Sequence, residues 1–407
     1  MFKLLKTAKK SSARLGRIKT IHGEIQTPFF MPDATRGFVK SIDNKELAAV
    51  GTEAMVINAL HLYLQPTIKI IKKAGGVHKF MNWPGLLLSD SGGFQVYSLI
   101  HQSKKMGKIY DDKVVFKSPL DGSKHILTPE KSIQIQFDLG ADLMVCLDDC
   151  PPNDFTIKDL EKSVARTIVW AKRCRQEFDR QIKKRKLTGL SKPLLFSVIQ
   201  GGAELDLRKR CAEALIKIGF DGYGFGARPV DKEGGFLGEV LKFTADLIPK
   251  NALRFALGIG RPEDILRCVQ MGWDMFDCVI PTREARHGKL YLWQNSKSQA
   301  CPRLQSGILN SKQFSKFKIP SLSPTPIGDS KFYETANISN SKYKSDFTPI
   351  NGTNLKNYSK AYLHHLFKVG DPLAMRLATL NNLNFYSTLM SNIRQEINEV
   401  EMVTKLF

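Results

Sequence analysis

The sequence predicts an α/β fold: a (β/α)8 TIM barrel with a C-terminal helical extension and an inserted flexible segment. Three observations predict it. Eight short apolar runs alternate with longer stretches whose apolar residues fall on one helical stripe. The runs are apolar at almost every residue, as strands of a parallel sheet covered on both faces must be. Polar residues gather at the C-terminal ends of these runs, where a barrel builds its site from strand-end loops.

In order, the runs are FFMPDA (29–34), AMVIN (54–58), LLLSDS (86–91), ADLMVCLDD (141–149), LLFSVIQG (194–201), GYGFG (222–226), RFALGIG (254–260) and MFDCVIPT (275–282). Helical stretches at 159–182, 204–218 and 262–271 lie between them. Eight strands favour a closed ring over an open sheet. No glycine-rich phosphate loop follows the first run, which argues against a nucleotide-binding open sheet. Residues 1–293 therefore read as the barrel core. Residues 294–333, rich in Ser, Lys and Pro with little periodicity, read as a flexible insertion. Residues 334–407 form a C-terminal subdomain, helical over roughly 359–400.

The 407 residues, 42% hydrophobic and 25% charged, suit a large globular chain. No apolar run reaches the roughly 18–20 residues of a membrane span. The basic start, MFKLLKTAKKSSARLGRI, lacks the apolar core of a secretory signal and reads as part of the mature protein. Seven scattered cysteines without a CxxC pair suggest neither a disulfide framework nor a zinc knuckle, and they point to the cytoplasm. The net charge of +22 fits either lysine-rich solvated faces or a polyanionic partner. Basic clusters at 7–18, 103–108 and 183–187 lean toward nucleic acid.

The polar strand ends are Asp90, Asp148 with Asp149, Gln200 and Asp277. Any one of them could be a cap or a satisfied buried group. Four on one rim point to a site. In SDSGGFQVYSL (89–99) the glycines permit a tight turn and let backbone N–H groups approach a flat ligand, while Phe94 and Tyr97 offer stacking faces. A plain strand-to-helix turn capped by Ser91 is the alternative.

SDSGGFQVYSL, FSVIQGG (196–202), LGIGRPEDI (257–265) and FDCVIPTREARHGKLY (276–291) resemble the queuine tRNA-ribosyltransferases, or tRNA-guanine transglycosylases. So do NALHLYLQP (58–66), KYKSDFTPI (342–350) and NYSKAYLHHLF (357–367). The resemblance runs from about residue 2 to about residue 395, interrupted by the insertion. It implies a homodimeric (β/α)8 enzyme that exchanges guanine at the wobble position of tRNAs with a GUN anticodon for a 7-deazaguanine, usually the 7-aminomethyl form. Asp277 matches the nucleophile that attacks the ribose anomeric carbon. Asp90 matches the general acid/base. Ser91, Asp148 and Gln200 match residues that hydrogen-bond the purine edges, and Phe94 the aromatic residue that stacks on the base. Gly92, Gly93, Ala227, Arg228 and Leu257 complete the base-binding set. Gly258, Ile259, Gly260, Arg261, Pro262, Glu263 and Asp264 match one RNA-contacting segment. Thr282, Arg283, Glu284, Ala285 and Arg286 match another, which reads the anticodon. The chemistry agrees, since one carboxylate can trap an oxocarbenium-like centre covalently while a second manages protons. Arginines beyond the nucleophile can grip phosphates.

Two departures stand out. The family carries a zinc site made of CxCxxC and a later histidine. Here the matching stretch, FTPINGTNLKNYS (347–359), has no cysteine, and the histidine position is Asn381. No metal and no other cofactor is therefore expected. His364 and His365 remain as packing or capping residues, and Cys301 stands too isolated to rebuild the site. The insertion is a candidate to replace the zinc subdomain's contacts. In GYGFGARPVD (222–231), Gly226-Ala227-Arg228 stands where the family has Gly-Gly-Leu. Cys150 and Val230 keep residues typical of members that take the smaller aminomethyl base. The alternatives are a related transglycosylase acting on guanine in DNA, a non-catalytic RNA-binding partner subunit, and a barrel enzyme acting on small molecules. Retention of Asp90, Asp148, Gln200 and Asp277 speaks against the second. The charge and the paired arginines speak against the third.

Overall fold

The computed structural model describes residues 1–151, 155–231, 233–294 and 332–399. Eight strands form the barrel: β1 (Phe29–Pro32), β2 (Ala54–Asn58), β3 (Leu86–Asp90), β4 (Leu143–Val145), β5 (Leu194–Ile199), β6 (Gly222–Phe225), β7 (Leu253–Ala256) and β8 (Met275–Cys278). From β2 to β8 each pairs in parallel with the next, and β8 pairs with β1. The ring closes between β1 and β2, where Asp33 bridges Val56 and the Ala34 amide donates to the Val56 carbonyl at 2.8 Å. Every expected run holds one strand, and the expected helices form at Ile157–Arg185, Leu205–Ile218 and Pro262–Gln270.

Side chains alternate between the two faces of each strand. Phe29, Met31, Ala54, Val56, Leu86, Leu88, Leu143, Val145, Phe196, Val198, Phe255 and Met275 point inward and fill the barrel as one cluster. Phe30, Met55, Leu87, Met144, Leu195, Tyr223 and Phe276 point outward into the helix-covered layers. This two-sided burial is why the runs show almost no polar residue until their ends.

A three-stranded antiparallel sheet (Phe2–Thr7, Arg14–Thr20, Gly23–Thr27) plugs the N-terminal end, with Ile18 and Ile25 joining the inward cluster. It takes one residue, Arg14, out of the basic 7–18 cluster, while Lys9 and Lys10 stay exposed. Arg14 is buried, donating Nε to Asp274 Oδ1 at 2.8 Å and Nη2 to Oδ2 at 2.6 Å. A second antiparallel sheet (Gly107–Ile109, Val114–Lys117, Lys124–Leu127) follows β3. The apolar runs carried no sign of it.

Beyond β8, the strand Lys289–Trp293 pairs antiparallel with Tyr333–Asn337, so the C-terminal part begins with a strand before its helices. The chain leaves at Trp293 and returns opposite it at Tyr333. The insertion expected at 294–333 otherwise lies outside the described residues, as does Cys301. The helix Pro372–Glu399 packs back on the barrel, with Tyr386 against Phe30 and Arg394 Nη1 donating to the Pro28 carbonyl at 3.0 Å. No helix among the described residues is long and apolar enough to cross a membrane.

Three metal-ligating side chains meet at the closed end: His22 Nδ1 lies 2.7 Å from Asp142 Oδ1, and His78 Nε2 lies 3.2 Å from Oδ2. The imidazoles stack with centroids 3.5 Å apart and planes 16° apart. Each ring nitrogen faces its own oxygen of the Asp142 carboxylate. The trio is a clip that ties the N-terminal sheet to the barrel, and Asp142 Oδ2 also accepts from the Leu87 amide at 3.0 Å. Burial pulls the Asp142 carboxyl upward, but the hydrogen bonds from His22 and His78 override it and hold the group down at about 2. A depressed carboxyl stabilises the fold above its unfolded pKa of 3.8 and loses that contribution as pH falls through about 2. Unfolding free energies of wild type and Asp142→Asn, from urea titrations, should therefore converge by about 2 kcal/mol as pH drops from 4 to 2.

Candidate active site

The inward alternation carries the site. Two positions beyond the last inward apolar residue of β1, β2, β3, β5 and β8 stand Asp33, Asn58, Asp90, Gln200 and Asp277. Strand β4 stops at Val145, and the loop after it delivers Asp148. Strand β6 offers only glycines inward, and a Cβ on Gly226 would lie 2.4 Å from Gln200 Cδ. Close approach of the Gln200 amide requires glycine there. One polar layer thus crosses the open mouth of the barrel.

Asp90 ends β3 just before the helix Gly93–Gln102. Burial raises its pKa, opposed by bonds from the Ser91 and Gly92 amides and from Gln95 and Asn58. The Asn58 Nδ2 donates at 2.8 Å. The amides of this turn thus face Asp90. Gly92 has φ 84°, and a Cβ there would meet Leu60 Cβ at 2.5 Å, so the turn needs glycine twice over. Ser91 is buried and its Oγ accepts from the Gly93 amide at 3.2 Å. Phe94 stands 45% exposed at the rim, whereas Tyr97 is buried and offers no stacking face.

Gln200 is fully buried and donates Nε2 to Asp148 Oδ2 at 2.6 Å. Its Oε1 is buried with no partner among the described residues. Burial, and then the charge of Asp90, raise Asp148 to about 7 against the Gln200 bond. Asp277 is half-buried, and its Oδ1 accepts from the Gly258 amide at 3.0 Å. Burial raises it to about 7, opposed by that bond and assisted by the charges of Asp90 and Asp33. Asp33 is held by the Thr35 amide at 2.9 Å.

The remaining predicted residues divide. Ala227 takes the left-handed conformation at φ 75°, which glycine adopts freely and alanine does not, and Arg228 is exposed. Leu257 is half-buried on the inward face. In the 258–264 segment Gly258 and Arg261 are exposed, but Ile259, Gly260 and Pro262 are buried. Glu263 accepts from Tyr333 at 2.6 Å, and Asp264 pairs with Arg267 at 3.2 Å. In the helix Ile280–Arg286 the side chains of Thr282 and Ala285 are buried, and Glu284 bonds Lys289 at 2.7 Å. Arg283 is exposed and Arg286 half-buried, one helical turn apart beside the mouth. Asn382 fixes this helix by donating to the Pro281 and Lys289 carbonyls at 2.9 Å each. Sequence reasoning passed over Asp33 and Asn58, although both obey the rule of a polar residue closing an apolar run.

The queuine tRNA-ribosyltransferase family model matches residues 9–404. The chain belongs to the queuine tRNA-ribosyltransferase family. It is 40% identical over 402 residues to a queuine tRNA-ribosyltransferase of Halothermothrix orenii, covering 98% of this chain and 94% of that one. One from Caldanaerobacter subterraneus is 39% identical, covering 98% and 93%. One from Staphylococcus aureus is 37% identical, covering 97% and 92%. The family is one of pentosyl-transferring enzymes on TIM barrels, as the ring described above is.

Where this ribosyltransferase family carries zinc, the chain presents amides. Asn351 Nδ2 donates to Asn354 and to Asn381 at 3.0 Å each, Thr353 Oγ1 to Asn384 at 2.8 Å, and Asn381 Nδ2 to the Tyr291 carbonyl at 3.0 Å. This set has neither thiolate nor imidazole and does not fit a structural zinc. Hydrogen bonds link the same loop and helix that a metal would.

The Gly226 contact yields a test. Gly226→Ala should cost roughly 1–3 kcal/mol by overpacking. It should also push the Gln200 amide off Asp148. Loss of that bond moves the Asp148 titration above about 7, read by carboxyl carbon NMR.

Proposed function

We propose that the protein exchanges guanine at the tRNA wobble position for a 7-deazaguanine, the 7-aminomethyl form being the preferred base, through a covalent Asp277–ribose intermediate. The observation that carries this reading is the pair Asp277 and Asp90 in one polar layer, flanked by the Gln200–Asp148 pair whose buried Oε1 lacks a donor. An Asp277 oxygen attacks the ribose anomeric carbon as the bond to guanine breaks. Asp90, its proton favoured by burial, gives that proton to a ring nitrogen of the departing base. The incoming base returns a proton to Asp90 and attacks the same carbon, which breaks the ester to Asp277. Each half inverts the centre, so the exchange retains configuration. Gln200 and Asp148 accept and donate along the purine edge, Phe94 stacks on its face, and Arg261, Arg283 and Arg286 hold phosphates around the mouth.

Labelled guanine exchange into a tRNA with a GUN anticodon tests this. Wild type should incorporate label, and Asp277→Asn should lose at least about a thousandfold, as removal of a covalent nucleophile does. Because an acid raised by burial destabilises the fold once ionised, Asp277→Asn should melt no lower than wild type at pH 8, which separates lost chemistry from unfolding. Equal exchange by the variant overturns the covalent step, and exchange into duplex DNA alone overturns the choice of polymer. The wild-type rate should rise with pH through the region near 7, where the coupled carboxylates ionise and Asp277 becomes nucleophilic.

We also propose that no zinc is bound. Metal analysis should find less than about a tenth of an equivalent, and a chelator should leave the melting temperature unchanged. A stoichiometric zinc whose removal lowers the melting temperature overturns this.

A further inference from the structure

Behind the polar layer lies a cation without a counter-ion. Arg208, on the helix Leu205–Ile218 that follows β5, is 0% exposed. Its Nε donates to the Gly202 carbonyl at 2.8 Å, Nη1 to Ile199 at 2.8 Å and Nη2 to Gly226 at 2.9 Å. The guanidinium carbon lies 3.9 Å from the centre of the Phe225 ring. No carboxylate pairs with it among the described residues. The titratable groups that act on it are Cys211 and Cys150, thiols that burial pushes up to about 12 and so keeps neutral. Burying a charge without an opposite one is costly unless its donors are satisfied.

The acceptors explain the choice. Strands β5 and β6 pair as far as Ile199 opposite Phe225, and the Gly226 amide makes one more bond to Ile199. Beyond that the ladder stops. Gln200 and the 226–228 turn project into the mouth as two lips. Arg208 bonds one carbonyl on each side of Gln200 and the carbonyl of Gly226, so a single planar group spans both lips. Its fork of divergent donors suits three carbonyls in a way that an ammonium does not. The Gln200 side chain packs directly against Gly226, so the distance between the lips sets where the Gln200 amide stands.

We propose that Arg208 is a positioning residue that fixes the width of the slot between Gln200 and the Gly226–Ala227 backbone, and through it the choice among bases. This rests on the transglycosylase reading above. It assigns the guanidinium no contact with the base.

Arg208→Lys and Arg208→Met test it, each compared with wild type for guanine, for a 7-substituted 7-deazaguanine and for tRNA. The expected result is a rise in KM for the bases of about tenfold or more, an altered preference between the two bases, and a KM for tRNA within about twofold. Amide hydrogen exchange of the ligand-free protein should quicken at 199–202 and 226–228 and not elsewhere. An unchanged base preference with proportional losses for base and tRNA would overturn the proposal, as would unchanged exchange at the two lips. If wild type exchanges no base at all, the function reading fails. Hydrogen exchange then still decides whether Arg208 ties the lips. If one variant fails to fold, the other carries both measurements.

Discussion

A closed ring of parallel strands alternates its side chains in and out, and the rest of the molecule follows from that. Because every strand runs the same way, all C-terminal ends meet at one mouth. Because the period is two, a polar residue two places beyond an inward apolar one must enter that mouth. Asp33, Asn58, Asp90, Gln200 and Asp277 come from parts of the chain up to 244 residues apart, yet this rule brings them into one layer. The N-terminal sheet closes the other end, and the buried Arg14–Asp274 pair fastens it beside the start of β8.

The crowded carboxylates have a physical price, because burial disfavours their charged forms and each charge disfavours the next. The structure answers with hydrogen bonds aimed at particular oxygens. The Gly258 amide holds Asp277, Gln200 holds Asp148, and the amides of the glycine turn hold Asp90 together with Asn58. What remains is a set of groups raised toward neutral pH, suited to passing protons. Amides recur at the C-terminal subdomain, where asparagines cross-link the loop and helix.

Much of the site was legible because its signals are local. Asp277 interrupts an apolar run and is followed by a proline and two arginines, and that pattern places it on a strand end beside a basic turn. Asp33 and Asn58 carried the same signal and passed unnoticed. Tyr97 was misread because the pattern around SDSGGFQVYSL does not say which face of the helix packs inward. Within the basic cluster at 7–18, the charge run does not reveal that Arg14 has a buried partner at residue 274.

The sequence by itself determined the number of barrel strands, their order, their two-sided burial and most of the polar residues that close them. These depend on short-range periodicity and on composition within a few residues. Only the tertiary structure decided which amide meets which oxygen, that Arg14 and Arg208 are buried in opposite circumstances, and that alanine stands at position 227 in a left-handed turn. Those outcomes depend on partners from neighbouring loops, as for Arg208, or from the far end of the chain, as for Arg14 and Asp274, which folding brings together and no periodic pattern encodes.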